Sequence, residues 1–440
     1  YSNQREMIYI NVDAVRPGVE SFNGTVAHEF MHLIQFHVHP NQNSWVNEGS
    51  AELAAQAVAG AVSSGVRLFE RAPATQLNAW ASDSTASLPH YGAAYLFMRY
   101  LAEQFGGFDA VGRLVAEPGR SIGAFQQFLG ALSPPRTFES FFADWVAANY
   151  LNDRSLGNGR YGYDNFQFHP AVQPGPTISQ TITGRASQFG AIYYRVVSTQ
   201  PATLTFRGAT SVPLIGGDPH QAQNEWWSNR GDSIDTRLTR SVDLTGLSAA
   251  TLQFWMWYDI EKGYDYGYVE ASTNGGATWT TLAAQDTTID NPNGQNYGNG
   301  FTGTSGGGTP TWLHETVDLA PYLGKQIQLR FEYVTDESYN GDGFALDEIS
   351  IPEAKLDDNA ESDAGWQVEG FTRIANRADE TYLVEALDSG KPEPVQRVSI
   401  RPDGQGTLPI EANHPIVLAV AGLAPRTTQL VGFELGLTAR

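Results

Sequence analysis

The sequence of 440 residues contains no cysteine. This excludes disulfide bonds and thiolate ligation of a metal, so stability has to come from core packing, bound metals or both. No run of about eighteen apolar residues occurs, which argues against a membrane-spanning helix. Basic residues are scarce, with 27 Lys and Arg against 48 Asp and Glu. The formal charge of −21 argues against nucleic acid or an anionic membrane as a partner.

A chain of this length is too long for one ordinary core, so we expect two or three domains. From residue 22 to about residue 153, apolar residues recur at helical spacing, as at Val26, Phe30 and Leu33. Beyond a turn-rich stretch at residues 152–174, β-branched and aromatic residues alternate and are separated by Gly- and Asn-rich turns. This pattern predicts a mainly helical part followed by β-sandwich domains.

The most informative segment of the helical part reads HEFMH at residues 28–32. On a helix, His28 and His32 lie four residues apart and face the same side, where one metal ion can bridge both imidazoles. Glu29 lies one step round the helix and is placed to act as a base on an attacking water. Because so short a motif also arises by chance, the alternative is two amphipathic helices with charged surface faces.

A second segment, NEGSAE at residues 47–52, supports the metal interpretation. Ser44 can cap a helix that runs from about residue 45 to residue 59 and ends at Gly60, and Glu48 and Glu52 are four residues apart on it. One carboxylate can complete a site with three protein ligands, while the other accepts a hydrogen bond from a ligating histidine. The two segments together predict a catalytic zinc site.

The spacing does not fit the metzincin pattern, which requires a glycine three residues after the second histidine and a third histidine three residues later. Those places hold Gln35 and Val38, while His37 and His39 are out of register. The chain instead resembles the gluzincins, the group of thermolysin, the membrane-alanyl aminopeptidases and the hyicolysin-like peptidases. The resemblance implies that Glu48 is the third zinc ligand and Glu52 the carboxylate behind a ligating histidine.

A third helix is predicted from the segment PHYGAAYLFMRYLAEQFGG at residues 89–107. It resembles an aminopeptidase helix that opens on a catalytic tyrosine, and the matching residue is Tyr91. A phenol that donates to a developing oxyanion stabilises the transition state more than the substrate. His90 is the alternative donor, and a tyrosine merely packed at a helix start is the structural alternative.

Residues 224–352 resemble the MAM-like jelly-roll module of immune inhibitor A peptidases, through WWSNRGDSID at 226–235, WYDIEKGYDYGYVE at 257–270 and NGDGFALDEI at 340–349. Residues 358–383 are similar to the segment that follows this module. The peptidase of that family is metzincin-like, so the resemblance covers only the accessory architecture. Residues 176–215 and 376–440 both predict short strands, and we expect them to pair into one β domain that contains the jelly roll as an insertion.

These observations predict four segments: a zinc metallopeptidase catalytic domain (1–165), the first part of a small β domain (166–223), the jelly roll (224–352) and a β domain that pairs with the second segment (353–440). The catalytic domain is expected to be a mainly helical α+β gluzincin domain. Residues 6–12 read as a strand. Because a gluzincin needs a larger sheet before the zinc motif, we expect the upstream sheet, with any signal or propeptide, to be truncated.

Acidic loops of the β region are candidates for calcium, which takes six to eight oxygen ligands. Asp342 and Asp347 flank a strand and Asp232 could approach from another; solvated loop carboxylates are an equal alternative. The expected function is a secreted zinc endopeptidase that acts on proteins or peptides. An aminopeptidase of the same superfamily, or a non-catalytic protein that binds an extracellular glycan or surface polymer through its jelly roll, remains an alternative.

Overall fold

The computed structural model describes residues 7–13, 15–60, 62–221, 223–362 and 365–440. The chain divides into two compact units: residues 1–212 together with 378–440 form unit 1, and residues 213–377 form unit 2. Unit 1 contains the helices, and unit 2 is built of strands. The expected change from a helical part to a β-rich part is confirmed.

The helical layer of unit 1 follows the apolar periodicity of the sequence. Its α-helices in the described residues are α1 Glu20–Val38, α2 Ser44–Ala59, α3 Gly65–Arg71, α4 Leu88–Phe105, α5 Phe108–Val115, α6 Ile122–Gly130 and α7 Phe138–Leu151. Glycines in the left-handed conformation, Gly60 and Gly106, terminate α2 and α4, because only glycine adopts this conformation without strain. Helix α2 begins at Ser44 itself, with Asn43 in the N-cap position, so the expected cap at Ser44 is one residue off.

The strands follow in chain order. In unit 1 they are β1 Val172–Pro174, β2 Thr181–Ala186, β3 Ile192–Val196, β4 Ala202–Gly208 and β5 Ser211–Val212. In unit 2 they are β6 Glu225–Trp227, β7 Asp235–Asp243, β8 Thr251–Asp259, β9 Tyr266–Ser272, β10 Thr280–Thr281, β11 Gly300–Phe301, β12 Leu313–Asp318, β13 Gln326–Val334, β14 Gly343–Ile351, β15 Leu356–Asp358, β16 Gln367–Glu369 and β17 Thr372–Ile374. The chain then returns to unit 1 with β18 Ala378–Asp379, β19 Tyr382–Leu387, β20 Val395–Arg397, β21 Gln405–Ile410, β22 Ile416–Gly422 and β23 Val431–Ala439.

Unit 1 has three layers. A five-stranded sheet, in the order β1-β3-β22-β19-β20, lies between the helices and a four-stranded sheet, β2-β23-β4-β21. Because side chains alternate along a strand, the middle sheet serves two cores. Tyr193 and Val417 pack with the helices, whereas their neighbours Tyr194 and Leu418 pack against the four-stranded sheet. Both sheets combine strands from before and after unit 2.

Unit 2 consists of two sheets of six strands. The strand orders are β10-β9-β13-β7-β16, with β11 on β9, and β12-β8-β14-β6-β17, with β15 on β14. Adjacent strands are antiparallel, and side chains such as Phe254 of β8 and Phe331 of β13 meet in one core. Strands β16 and β17 complete the two sheets, so the sandwich extends to Ile374, beyond the boundary expected at residue 352.

The prediction of a strand at residues 6–12 is wrong for the described part of this segment. Glu6 lies outside the described residues, and residues 7–12 form no strand. Met7, Tyr9 and Val12 are about half exposed or more. Alternating apolar residues form a stable strand only when a neighbouring strand accepts their backbone hydrogen bonds, and no described strand pairs with this segment.

Candidate metal centre

Helices α1 and α2 bring the three expected metal ligands together. His28 Nε2 and His32 Nε2 lie 3.0 Å apart. Glu48 Oε2 of α2 lies 3.3 Å from His28 Nε2 and 3.5 Å from His32 Nε2. The two histidines face the same way because they are four residues apart on α1, and α2 supplies the carboxylate from across the helix pair.

The triangle of these atoms fits a zinc ion. Three ligand atoms of a tetrahedral site with zinc–ligand distances of about 2.05 Å are roughly 3.3 Å apart, close to the separations of 3.0, 3.3 and 3.5 Å found here. Glu48 Oε2 is buried and, among the described residues, makes no contact with hydrogen-bond geometry. A buried carboxylate oxygen that faces two imidazole nitrogens is the arrangement that a bound cation satisfies.

Charge in this triangle shifts the pKa values of its members. Burial lowers the pKa of His32, but the contact with Glu48 and the negative charges of Glu48 and Glu29 outweigh burial, so the pKa is raised. Burial would raise the pKa of Glu48, but the contacts with His28 and His32 dominate and lower it to about 2. Glu48 is therefore ionised at neutral pH and available as a ligand.

Each candidate histidine ligand has a polar partner on its other ring nitrogen. His28 Nδ1 lies 3.5 Å from Glu52 Oε1, one turn beyond Glu48 on α2. Burial raises the pKa of Glu52, an effect opposed by a hydrogen bond with Ser63 and the nearby His28. His32 Nδ1 lies 3.1 Å from Gln35 Oε1. Sequence reasoning gave the first of these partners through a resemblance and missed the second.

Tyr91 lies in the first turn of α4, and the charges of the candidate metal centre affect its pKa. Burial raises the pKa of Tyr91, and the carboxylates of Glu48, Glu52 and Glu29 raise it further. The phenol is therefore protonated at neutral pH and able to donate a hydrogen bond. The Tyr91 ring also meets Trp80 edge-on, at a centroid distance of 4.8 Å.

His90 contacts a backbone carbonyl and a neighbouring ring. Its Nδ1 lies 3.1 Å from the carbonyl oxygen of Gln76, and its ring packs on Trp80 at 5.7 Å. Burial lowers its pKa, so the imidazole is neutral near neutral pH. The choice between Tyr91 and His90 as the oxyanion donor stays a prediction.

A close helix contact fixes the position of Tyr91. A Cβ atom added to Gly92, the next residue, would lie 2.3 Å from the carbonyl oxygen of Gly65 at the start of α3. The two backbones therefore approach to a distance that only glycine allows. This contact accounts for the glycine after Tyr91 in the sequence.

His37 and His39 lie at the end of α1, as their sequence positions indicated. Helix α1 ends at Val38, and His39 is its C-cap. His39 Nε2 contacts the carbonyl oxygen of Pro118 at 3.2 Å. Neither histidine belongs to the group formed by His28, His32 and Glu48.

The three aspartates expected as calcium ligands do not form one group among the described residues. Asp232 accepts a hydrogen bond from the Asn340 side chain. Asp342 Oδ2 accepts one from the Gly216 backbone at 2.9 Å. Asp347 Oδ2 accepts one from the backbone of Gln221 at 3.1 Å. Asp342 and Asp347 are five residues apart along an extended segment, about 16 Å, so one ion cannot bind both.

Asp347 has a different acidic neighbour, which sequence reasoning missed. Strands β6 and β14 pair Trp227 with Ala345 and Trp226 with Leu346, and the next step of this register places Glu225 opposite Asp347. Both carboxylates are fully buried. Neither oxygen of Glu225 has a hydrogen-bond partner among the described residues. Burial, then Asp347 and Asp218, raise the pKa of Glu225 to about 8.

A second acidic group also escaped sequence reasoning. Carboxylate oxygens of Glu261, Asp265 and Asp336 lie within 4.8 Å of one another. Asp265 is buried and accepts hydrogen bonds from the Tyr333 hydroxyl at 3.2 Å and the Asp336 backbone at 3.1 Å. These residues come from two separate loops, so their proximity left no local pattern in the sequence.

The comparisons with known proteins place unit 2 in a recognised class. Residues 210–376 match the family described as "Immune inhibitor A-like, MAM domain". This segment is close to unit 2, which spans residues 213–377. It therefore resembles a domain found in association with metalloproteases.

Three curated proteins are similar to parts of the chain. Pre-pro-metalloprotease PrtV of Vibrio cholerae serotype O1 is 30% identical over 175 residues, which are 39% of this chain and 18% of that protein. Immune inhibitor A of Bacillus thuringiensis subsp. alesti is 30% identical over 157 residues, 35% of this chain and 21% of that protein. Bacillopeptidase F of Bacillus subtilis is 29% identical over 100 residues, 23% of this chain and 6% of that protein. The chain thus matches less than a quarter of the length of each relative.

In the described residues, no helix has the length and apolar character needed to cross a membrane.

Proposed function

We propose that this protein is a zinc-dependent endopeptidase whose metal centre lies in unit 1. The observation that carries the proposal is the convergence of His28 Nε2, His32 Nε2 and Glu48 Oε2 at separations of 3.0 to 3.5 Å. The names of two similar proteins, a pre-pro-metalloprotease and a bacillopeptidase, agree with a protease. The HExxH and Asn-Glu segments resemble those of the gluzincins and support a site of that type.

In this proposal His28, His32 and Glu48 hold the zinc ion. A zinc ion with three protein ligands polarises a carbonyl and lowers the pKa of water to about 7. Glu29 follows the first ligand and accepts the proton of the attacking water at its carboxylate. It then returns this proton to the leaving amine nitrogen, as a general base and acid.

Tyr91 supplies the other polar function. Its protonated hydroxyl donates a hydrogen bond to the oxygen that becomes negative when the peptide carbonyl turns tetrahedral. The carboxylates that raise the pKa of Tyr91 keep the phenol in this donor form. Glu52 Oε1 lies 3.5 Å from His28 Nδ1 and is placed to orient that imidazole so that Nε2 faces the other ligands.

We propose an endopeptidase, with an aminopeptidase of the same superfamily as the alternative. Peptides with free and blocked amino termini distinguish the two, since only an endopeptidase cleaves both. A non-catalytic protein that binds glycan or surface polymer through unit 2 is disfavoured because Glu29 and all three ligands are present.

We propose a secreted protein that acts on protein or peptide substrates. The absence of cysteine, the acidic composition and the similarity of unit 2 to the MAM domain of immune inhibitor A-like proteins are compatible with this location.

Calcium is proposed as a second, structural metal in unit 2. Glu225 and Asp347 carry the proposal, because two buried carboxylates lie on adjacent strands and both oxygens of Glu225 are without a hydrogen-bond partner among the described residues. Calcium takes oxygen ligands of this kind. Asp232 and Asp342 are not included, because the carboxylates whose charges act on Glu225 are Asp347 and Asp218.

Metal analysis and four variants test the peptidase proposal. One zinc ion per chain is expected, and His28→Ala or Glu48→Gln should remove it. His39→Ala is the matched control, because His39 caps the helix that carries His28 and contacts Pro118. Glu29→Gln should keep zinc but lower hydrolysis of a protein substrate such as casein by ~10² or more. Zinc content that is unchanged in His28→Ala would contradict the site, and full hydrolysis by Glu29→Gln would contradict the role of the base.

A further inference from the structure

Gln35 is an unusual residue for its position on α1. It lies three residues after His32 and is only 2% exposed. The other buried residue of α1 is Gly24, which lies where this helix packs against Ala59. A polar side chain buried between two helices needs specific partners to offset the loss of water.

Both polar atoms of Gln35 have such partners. Nε2 donates to the carbonyl oxygen of Asn47 at 3.1 Å, and Oε1 lies 3.1 Å from His32 Nδ1. A carbonyl oxygen can only accept a hydrogen bond, so the amide nitrogen has to face Asn47. The amide oxygen then faces His32, and it can only accept. It follows that His32 Nδ1 carries a hydrogen and donates it to Gln35.

This hydrogen bond determines the tautomer of His32. A neutral imidazole with hydrogen on Nδ1 has its lone pair on Nε2. Nε2 is the atom that lies 3.0 Å from His28 Nε2 and 3.5 Å from Glu48 Oε2. The same amide also binds the backbone of Asn47, the residue before Glu48. One side chain therefore orients a ligand of α1 and fixes the segment of α2 that carries another.

We propose that Gln35 is a positioning residue of the metal centre, which holds His32 in the Nδ1–H form and sets the spacing between His32 and Glu48. The inference rests on the zinc site proposed above. Gln35 gives His32 a neutral partner on Nδ1, whereas the partner of His28 Nδ1 is the carboxylate of Glu52. Loss of such partners commonly weakens metal binding 10- to 100-fold.

The first experiment needs no variant. Long-range ¹⁵N–¹H NMR of the metal-free protein, labelled at histidine and measured at a pH where the imidazoles are neutral, reports the tautomer of each ring. Resonances of His32 are assigned with His32→Gln. We expect His32 to have hydrogen on Nδ1. Hydrogen on Nε2 would overturn the proposal, whether or not the site binds zinc.

The second experiment measures zinc affinity by competition with a chromophoric chelator. Gln35→Met keeps the side-chain length and removes both hydrogen bonds, and zinc should bind 10- to 100-fold more weakly. Gln35→Glu keeps an acceptor for His32 and should retain more affinity than Gln35→Met. Gln126→Met is the matched control, since Gln126 accepts a hydrogen bond from the Phe138 backbone in the same unit, at 3.1 Å.

Two results would overturn the role of Gln35: wild-type zinc affinity in Gln35→Met, or an equal loss in Gln126→Met, which would indicate a general structural effect. If Gln35→Met does not fold, the tautomer of His32 in the wild-type protein still decides the question. A wild-type protein that binds no zinc would refute the proposed function, and the tautomer would then test the hydrogen bond by itself.

Discussion

Gly49 lies so close to Ala94 that a Cβ atom on Gly49 would be 2.6 Å from the Ala94 carbonyl oxygen. Gly49 directly follows Glu48 on α2, and Ala94 belongs to α4, one turn after Tyr91. The contact sets the distance between the helix that carries Glu48, the proposed third ligand, and the helix that carries Tyr91, the proposed oxyanion donor. It gives a physical reason for glycine after the glutamate in the Asn-Glu-Gly segment.

Gly49→Ala should therefore push α2 and α4 apart. An added methyl group in a packed core typically costs about 1–3 kcal/mol, and the displacement should also weaken zinc binding because Glu48 is adjacent. Denaturant unfolding and chelator competition measure the two effects. Gly112→Ala is the control: Gly112 is in α5 with nothing within 4 Å of an added Cβ, so alanine should stabilise that helix by about 0.5–1 kcal/mol. Equal stability of both variants would refute the packing argument.

Tyr91→Phe should lower kcat with little change in KM and no change in zinc content, because the hydrogen bond forms mainly in the transition state. Loss of one such donor costs about 3 kcal/mol, or ~10²-fold in turnover. His90→Ala serves as the comparison and should reduce kcat less, since His90 contacts the Gln76 carbonyl. Steady-state kinetics with a quenched peptide check both. Full kcat in Tyr91→Phe would transfer the role to His90 or to another residue.

Calcium should stabilise unit 2 through Glu225 and Asp347. At a concentration 100 times its dissociation constant, a ligand specific for the folded state adds about 2.7 kcal/mol, so the unfolding transition should move to higher temperature. Glu225→Gln should abolish this shift, whereas Asp342→Asn should retain it, because Asp342 is not among the carboxylates whose charges act on Glu225. Calorimetry with added calcium chloride provides the measurement. A calcium shift that persists in Glu225→Gln would exclude this site.

In calcium-free buffer, unit 2 should lose stability as the pH rises. Burial raises the pKa of Asp265 to about 8, and the charge of Asp336 adds to this. Burial also raises the pKa of Glu261 to about 7 and that of Asp336 to about 6. Because the folded state binds these protons more tightly than the unfolded chain, the stabilisation is complete below about pH 4 and lost as the pH rises through 6 to 8.

We expect a decrease of at least about 1 kcal/mol between pH 5 and 9, since one pKa unit corresponds to 1.36 kcal/mol. Urea unfolding at several pH values, followed by tryptophan fluorescence, measures it. Asp265→Asn removes the largest of the three pKa shifts and should flatten the dependence. An increase of stability with pH would show that these carboxylates do not control it.

The shared faces of the proposed ligands were predictable from the sequence because a helix has a fixed period. His28 and His32 share a face at i and i+4, and the same holds for Glu48 and Glu52. The meeting of the two helices was not contained in these spacings and was expected only because both segments were interpreted as parts of one zinc site. Gln35 was missed because a single glutamine has no periodic signature. Its available signal was a polar residue on the same helix face as His32, one turn further along.

The errors arose where a local pattern required a distant partner. The strand expected at residues 6–12 had the right alternation but no described neighbour. The calcium set combined Asp342 and Asp347 although they are five positions apart along an extended segment. The partner of Asp347 is Glu225, more than one hundred positions earlier, and only the pairing of β6 with β14 brings the two strands side by side.

The two-residue ladder of β5 and β18 has a topological consequence. Val212 pairs with Ala378 and Ser211 with Asp379, so the polypeptide leaves and re-enters unit 1 at adjacent points. The 165 residues between them, 213–377, form unit 2 and are an insertion between two paired strands, β5 and β18. A short turn could connect these strands as a hairpin. Replacement of the insertion by a two-residue Asn-Gly turn is thus compatible with every strand pairing of unit 1. By contrast, a cut after residue 377 would remove β19 and β22 from beneath the helices.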